Sequence, residues 1–535
     1  MTEKILSISC LGMLLGYLSG YNLSYSSSLI KLSLVILIIN FFFLFVFTKT
    51  RKDIFFKNIL LLVSVFLFLF LISSIRGNIL KKDFIEIDET VEISVIVYDI
   101  LVKDNTKIIK GKIVENKNSE SDKIKNLRNV AIYTFSQENF YPDTILNVKG
   151  RLTNQVILLP KKEKLTSLNS QNNGKSFDLF NYWNTKNIDA IFMYPVIKSQ
   201  TFLINENKSH SIYFYSYSFR NYFSNLLKKT MNSFDVGIVM AMLWGDENNI
   251  SKETNNIFKG AGVSHVLVLS GYNLSIVVGV SAFMFRKNKL KTRVILSIVF
   301  VFIFLLLANT SAPVWRASIM SLYTLVAIFF LKPNNAKLGL WITCFLFFIY
   351  SPIITMLDIS FHLSFLATAG IIYFYPVLEK IIRDKYFKTK ENIFLENLTK
   401  LFLVTVSANI LIAPYLIYQF GYFKISAIFL SFIITPLVPP VMLFGFFSGT
   451  LTIFSEALKH FFYLKYFSNL FYYASLTSSF VAEFFIKIIF SFTEYFYNIS
   501  PTYDKSFSFT FLVMPYLILL VVLIYLEFLS KINSD

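Results

Sequence analysis

Three short runs of polar residues interrupt apolar stretches of this 535-residue chain, and these are the places where chemistry could be done. The first is Ser264-His265 followed by Ser270-Gly271-Tyr272-Asn273, within Val263–Phe283. The second is Arg316, near the start of Val314–Leu331 and just after Ala312-Pro313. The third is Asp358-Ile359-Ser360-Phe361-His362-Leu363-Ser364, where Asp358 and His362 share a face if the segment is helical. On paper His265 with Ser270 or Ser264, or Ser360 with His362 and Asp358, makes a nucleophilic triad. A triad needs geometry that spacing does not prove, and no Gly-x-Ser-x-Gly elbow occurs. Neither His-Glu-x-x-His nor a phosphate-cradling Gly-x-x-x-x-Gly-Lys-[Ser/Thr] is present. The expectation is therefore no catalytic residue, no metal and no cofactor. The same residue types suit a polar pathway, because ionisable groups in hydrocarbon are costly and mark routes for hydrophilic cargo. Its candidates are His265, Ser270, Gly271, Asn273, Arg316, Asp358, His362 and Ser364. The competing readings are close helix packing for the glycines, snorkelling for Arg316, and structural pairing of Arg316 with Asp358.

The surrounding composition sets the elements that must hold these groups. With 55% hydrophobic and 18% aromatic residues, the chain is read as a polytopic α-helical membrane protein. Apolar windows of roughly 20 residues, each able to cross a ~30 Å core, number about twelve. They are Ile5–Tyr21, Leu29–Phe47, Phe56–Ile75, Val263–Phe283, Val294–Ala308, Val314–Leu331, Leu338–Tyr350, Ile353–Tyr375, Leu401–Tyr418, Ile425–Gly449, Phe467–Phe490 and Phe509–Leu529. Val263–Phe283 is expected to be broken at Ser270–Asn273, since helix breakers at membrane depth are tolerated only beside protein or a water-filled cavity. Pro436, Pro439 and Pro440 should break Ile425–Gly449, and the short Leu338–Tyr350 is a candidate re-entrant segment. The net charge of +18 is mainly a topology signal. Arg286, Lys287, Lys289, Lys291 and Arg293 fall in one short loop, and Lys380, Arg383, Lys385, Lys388 and Lys390 in another. The positive-inside rule then puts both termini in the cytoplasm and residues 76–262 outside.

Residues 76–207 read as a separate extracytoplasmic domain. Val91–Val102, Lys107–Val114, Val130–Phe135, Thr144–Leu152 and Ala190–Ile197 are β-type runs bounded by turn residues. Five short strands suit a small barrel of the OB type, or else a sandwich. Such barrels stack single-stranded bases on aromatics in a basic groove, for which Tyr133, Phe135, Lys149 and Arg151 are candidates. A solvated strand face is the plainer reading. Residues 208–262 are read as amphipathic interfacial helices and 263–535 as the main transmembrane domain, after N-terminal helices in 1–75. Cys10 and Cys344 lie in apolar runs and read as buried free thiols.

At these residues the chain resembles the ComEC family of competence proteins. Gly262-Val263-Ser264-His265-Val266-Leu267-Val268-Leu269-Ser270-Gly271 is similar to the family's Ser-His-Leu-Leu-x-Ile-Ser-Gly signature. Arg316-Ala317-Ser318 resembles its Arg-Ala box, and Asp358–Thr368 its Asp-x-x-Phe-Gln-Leu-Ser-Phe box. Pro414–Pro440 and Phe177–Tyr182 resemble flanking segments. The resemblance implies a channel in the cytoplasmic (inner) membrane that passes one strand of transforming DNA. It also implies partners: an outer DNA receptor, a cytoplasmic translocase and the lipid bilayer, with a homo-oligomer left open. Two positions depart from the pattern, Tyr272-Asn273 where the family has Leu-His and His362 where it has Gln. Many members carry a C-terminal metallo-β-lactamase-like domain, and this chain is expected to rely on a separate nuclease instead. Alternatives from other classes are a transporter of another anionic polymer or lipid-linked substrate, and an intramembrane hydrolase built on Ser270 and His265.

Overall fold

In the computed structural model, placement is described for residues 6–13 without 11, three positions between 65 and 73, 86–103, 106–116, 129–135, 140–153 and 188–202 without 189 and 194. It is described further for 212–308, 312–352, 355, 358–386, 393–420, 423–459, 465–499 and four positions between 515 and 519. Apart from isolated positions, the three expected N-terminal spans, the segment Phe177–Tyr182 and the last expected span lie outside the described residues.

The alternating Val/Ile runs form six strands: β1 (Glu86–Lys103), β2 (Thr106–Asn116), β3 (Asn129–Thr134), β4 (Thr144–Thr153), β5 (Ala190–Met193) and β6 (Val196–Phe202). The sheet order is β1-β2-β3-β5-β4-β6, and β1 also pairs with β4, so the sheet curls back on itself. All pairings are antiparallel except β3 with β5. Register shifts at Ser94/Val95 and Val97/Asp99 bend the long β1 strand. Gly111 stands opposite Val97 at that bend. A Cβ there would lie 2.8 Å from the Ile96 carbonyl oxygen, so only glycine lets β2 coil this tightly. Every second residue then fills the sheet's concave side: Val91, Ile93, Val95 and Val97 meet Ile109, Val130, Ile132, Leu146, Val148 and Phe192.

Twelve helices follow among the described residues. They are α1 (Ile212–Leu227), α2 (Ser233–Trp244), α3 (Lys252–Gly260), α4 (Gly271–Met284), α5 (Leu290–Leu307), α6 (Ala312–Phe329), α7 (Ala336–Tyr350), α8 (Ile359–Tyr386), α9 (Ile393–Phe420), α10 (Ser426–Ile434), α11 (Val438–Lys459) and α12 (Lys465–Ile499). Seven helical segments among the described residues are long and apolar enough to cross a membrane, so this is a multi-pass membrane protein. Of the eight spans expected within these residues, only the one at α7 falls short of that length. The proline run behaves as expected: α10 ends at Ile434, a 3-10 turn covers Thr435–Leu437, and α11 resumes at Val438.

Helix α2 organises the bundle. Asn232 caps its first turn, Gly245 at φ 68° closes its end, and all residues from Asp235 to Trp244 are buried. It packs against α1, α11 and α12. Helix α1, expected at the interface, buries Phe223, Leu226 and Leu227 in this same bundle and leaves Tyr215 and Tyr222 exposed. Helices α11 and α12 form an antiparallel hairpin joined by hydroxyls: Ser448 bonds Ser479 at 2.6 Å and Thr452 bonds Ser475 at 2.6 Å. Small polar residues are the usual adhesive where both helix and lipid are apolar. Cys10 and Cys344 are free and buried, and they share one apolar cluster with Met13 and Phe348.

Candidate functional site

The first polar run folds as a broken helix. After α3 the chain turns at Gly262, whose φ of 80° is left-handed backbone that glycine adopts without strain. A single 3-10 turn, Ser264–Val266, precedes four residues that interrupt the helix before α4 begins at Gly271. The break falls just before the stretch expected: it ends at Ser270, and Gly271, Tyr272 and Asn273 already belong to α4. Ser270 is extended (φ −113°, ψ 167°) and its hydroxyl does not cap the α4 backbone; it donates to Asn273 Oδ1 at 3.1 Å. Asn273, 3% exposed, donates through Nδ2 to the Met242 carbonyl at 2.9 Å. Met242 O is one of the last four carbonyls of α2, which a helix cannot bond internally. One asparagine thus ties the break in α4 to the end of α2.

Arg316 sits one turn into α6, 8% exposed. The sequence offered Asp358 as its partner, but the structure gives it hydroxyls. Nε donates to Ser364 Oγ at 2.7 Å, and Nη1 donates to Thr368 Oγ1 and to Met320 Sδ. Among the described residues no carboxylate lies within ion-pair distance of it. Asp358 accepts the Ser360 N–H at 2.8 Å, fixing the start of α8. Gly271 lies against the guanidinium: a Cβ there would be 2.9 Å from Arg316 Nη2 and 3.1 Å from Ala317 Cβ. A buried cation and the uncapped, partially positive first turn of α4 therefore share one spot with no fixed negative charge among the described residues. Such a pair is complementary to an anion.

His362 joins α8 to α9. Its Nε2 lies 2.8 Å from the Thr355 carbonyl, which can only accept, so Nε2 carries the proton. Nδ1 is then the acceptor for the Tyr415 hydroxyl at 2.7 Å. Among the described residues none of the three serine–histidine pairs considered for a triad is hydrogen-bonded: Ser270 points to Asn273, and the His362 ring is held by Thr355 and Tyr415.

His265 and Val268 are exposed before the break, and Tyr272, Ser275 and Gly279 recur at helical spacing on one exposed side of α4. The corresponding exposed face of the next helix, α5, is Ile295, Val299, Phe302, Ile303 and Leu306. The second face suits lipid. The first is mixed and polar, and a water-filled space or a polar cargo suits it better.

In the sheet domain, Tyr133 and Lys149 occupy the outward positions of the strand alternation, opposite to Ile132 and Val148 in the core. Tyr133 packs beside Ile188 and Ile191, Phe135 is 59% exposed just beyond β3, and Lys149 is exposed on β4. They do not form one patch on adjacent strands, because β5 separates β3 from β4. Arg151 pairs in register with Thr90.

Sequence reasoning missed several groups. Thr368 lies four residues after Ser364, a spacing that could have flagged it; Met242 and Tyr415 carry no sequence signal. It also passed over Asp246, just beyond α2, which is buried and accepts the Asn248 N–H at 3.1 Å. Burial pushes the Asp246 carboxyl up, while the Asn248 N–H and the Arg220 guanidinium act against that rise.

Fold and site together define a multi-pass helical membrane protein with a curled sheet domain and a buried, anion-complementary break in a membrane helix. A family model described as Competence protein matches residues 242–529, more than half of the chain, and the chain belongs to that family, the ComEC-type competence proteins. Membership carries with it, at a coarse level, a role in DNA uptake in competence. No curated protein and no solved structure matches the chain.

Proposed function

We propose that this protein conducts single-stranded transforming DNA across the cytoplasmic membrane, along the face of the broken α4 segment. The observation that carries the reading is Arg316, a buried guanidinium held by Ser364 and Thr368 rather than by a carboxylate, against the first turn of α4. A structural arginine at that depth would be expected to have an acidic partner. One that lacks it is suited to a cargo that brings its own negative charge, as each phosphodiester does. Ser270, Asn273 and the His362–Tyr415 pair would line the polar route, and Tyr272 would offer a ring to passing bases.

The strand order β1-β2-β3-β5-β4 with β1 shared, and the single parallel pair β3–β5, support an OB-type reading of the sheet domain. It would hold the strand outside the membrane before passage. An outer DNA receptor, a cytoplasmic translocase and a separate nuclease are the partners this reading requires; this chain itself is proposed to do no chemistry on DNA.

The test is Arg316→Ala, assayed by transformation frequency alongside immunoblotting of the membrane fraction. Loss of transformation at unchanged abundance supports the role. Normal transformation in that variant overturns it. A deletion strain that transforms normally would point to a different anionic polymer as cargo.

A further inference from the structure

Outside this pathway, α2 carries a buried carboxyl group that nothing above uses. Asp235 is 1% exposed in the first turn of the helix. Its Oδ2 accepts from Asn232 Nδ2 at 2.5 Å, whereas Oδ1 is buried without a hydrogen-bond partner. Helix α12 faces it with Glu483 and Lys487, one turn apart, and the Phe234–Phe490 ring pair at 5.1 Å covers one side. The other helices packed on α2, α1 and α11, bring no further charged group to Asp235 among the described residues.

Glu483 is half-buried and Lys487 exposed, so only Asp235 is sealed from water, and a sealed carboxylate with one oxygen lacking a donor favours the proton. We propose that Asp235 carries an exchangeable proton, and that α2 transmits its protonation state to the Ser270–Asn273 break. The transmitting element is short and rigid. From Asp235 the helix runs, buried throughout, to Met242, whose carbonyl holds Asn273. That separation is about 10 Å of helix at 1.5 Å per residue. Proton loss leaves a carboxylate drawn towards Lys487, which displaces the first turn of α2 against α12. Because α2 is enclosed, the displacement moves its other end and with it the Met242–Asn273 bond. Burial first, and Glu483 second, push the Asp235 carboxyl up to about 6, against the pull of Asn232 and Lys487, so the exchange falls near neutral pH. The proton site stands without the conduit reading; only its consequence for DNA passage rests on that reading.

The experiment uses the full chain in lipid nanodiscs, with Cys10→Ala and Cys344→Ala and a nitroxide on Val268→Cys, an exposed position beside the break. Infrared difference spectra report the carbonyl band of a protonated carboxyl group, and nitroxide mobility reports the break. Both should change with pH around a common midpoint near 6. Asp235→Asn should remove the band and the mobility change together. Glu483→Gln removes a like charge and should lower the midpoint by about one unit, while Lys487→Gln removes an opposite charge and should raise it by a similar amount. These opposite shifts test the proposal even if Asp235→Asn folds poorly. An unchanged mobility response in Asp235→Asn, shifts of the same sign in the other two, or a response reproduced by sodium at fixed pH would overturn it. No readout uses DNA, so this result and the Arg316 result fail independently.

Discussion

Replacing Asn273 by leucine tests the link between α2 and α4 with a side chain of the same branching and no hydrogen-bonding group. The wild-type amide satisfies the Met242 carbonyl at 2.9 Å and accepts from Ser270 at 3.1 Å, in a position 3% exposed. Leucine fills the space but leaves the carbonyl buried without a donor, which costs about 1–3 kcal/mol, and removes the Ser270 bond, worth about 0.5–1.5 kcal/mol. A loss of about 2–4 kcal/mol is expected from the sum. Ser270→Ala alone should cost about 1 kcal/mol, since its hydroxyl is half-buried and one bond is lost. In the Asn273→Leu background the same change should cost almost nothing, giving a coupling of about 1 kcal/mol. Reversible SDS titration in mixed micelles, followed by tryptophan fluorescence to which Trp244 at the end of α2 contributes, measures all four corners of the cycle. Asn273→Leu within about 0.5 kcal/mol of wild type, or an undiminished cost of Ser270→Ala in its background, would refute the bridge.

Three further outcomes follow from the geometry. Gly262→Val should destabilise the chain by about 1–3 kcal/mol in the same titration, because a non-glycine residue is strained at φ 80° and its Cβ would lie 2.8 Å from Ala427 Cβ. If the sheet domain holds single strands, Phe135→Ala should weaken oligonucleotide binding to the full chain by about 1–3 kcal/mol, and Lys149→Ala should lower the salt dependence by about one phosphate contact. Asp246 is raised by burial, so its neutral form contributes stability that is present below the ordinary carboxylate value and is lost as pH rises through the folded value. Asp246→Asn should flatten that alkaline loss in unfolding midpoints measured across pH.

The features legible in the chain were those written in local pattern. Val/Ile alternation marked the first four strands to within a few residues, and only the Pro195 break that splits β5 from β6 was missed. Ser270-Gly271 marked the helix break because glycine and a polar pair at membrane depth have few other uses. Partners across the bundle were not legible. Arg316 and Asp358 look complementary by charge, yet Ser360 takes the carboxylate and Ser364 with Thr368 take the guanidinium. Ser364 was among the pathway candidates, but nothing in the sequence paired it, or Thr368, with Arg316. Asp235, Glu483 and Lys487 were passed over because the two elements that bring them together are far apart in the chain, and α2 has no amphipathic pattern to show which side faces α12.

The enclosure of α2 bears on how the protein is made. Twelve residues are too few to cross a bilayer, so this helix cannot be released into lipid as an independent span when it leaves the ribosome. Its walls, α11 and α12, belong to residues 438–499 and are synthesised much later. The segment must therefore wait at the translocon or the membrane surface, and the bundle can be completed only after the late hairpin arrives to receive it.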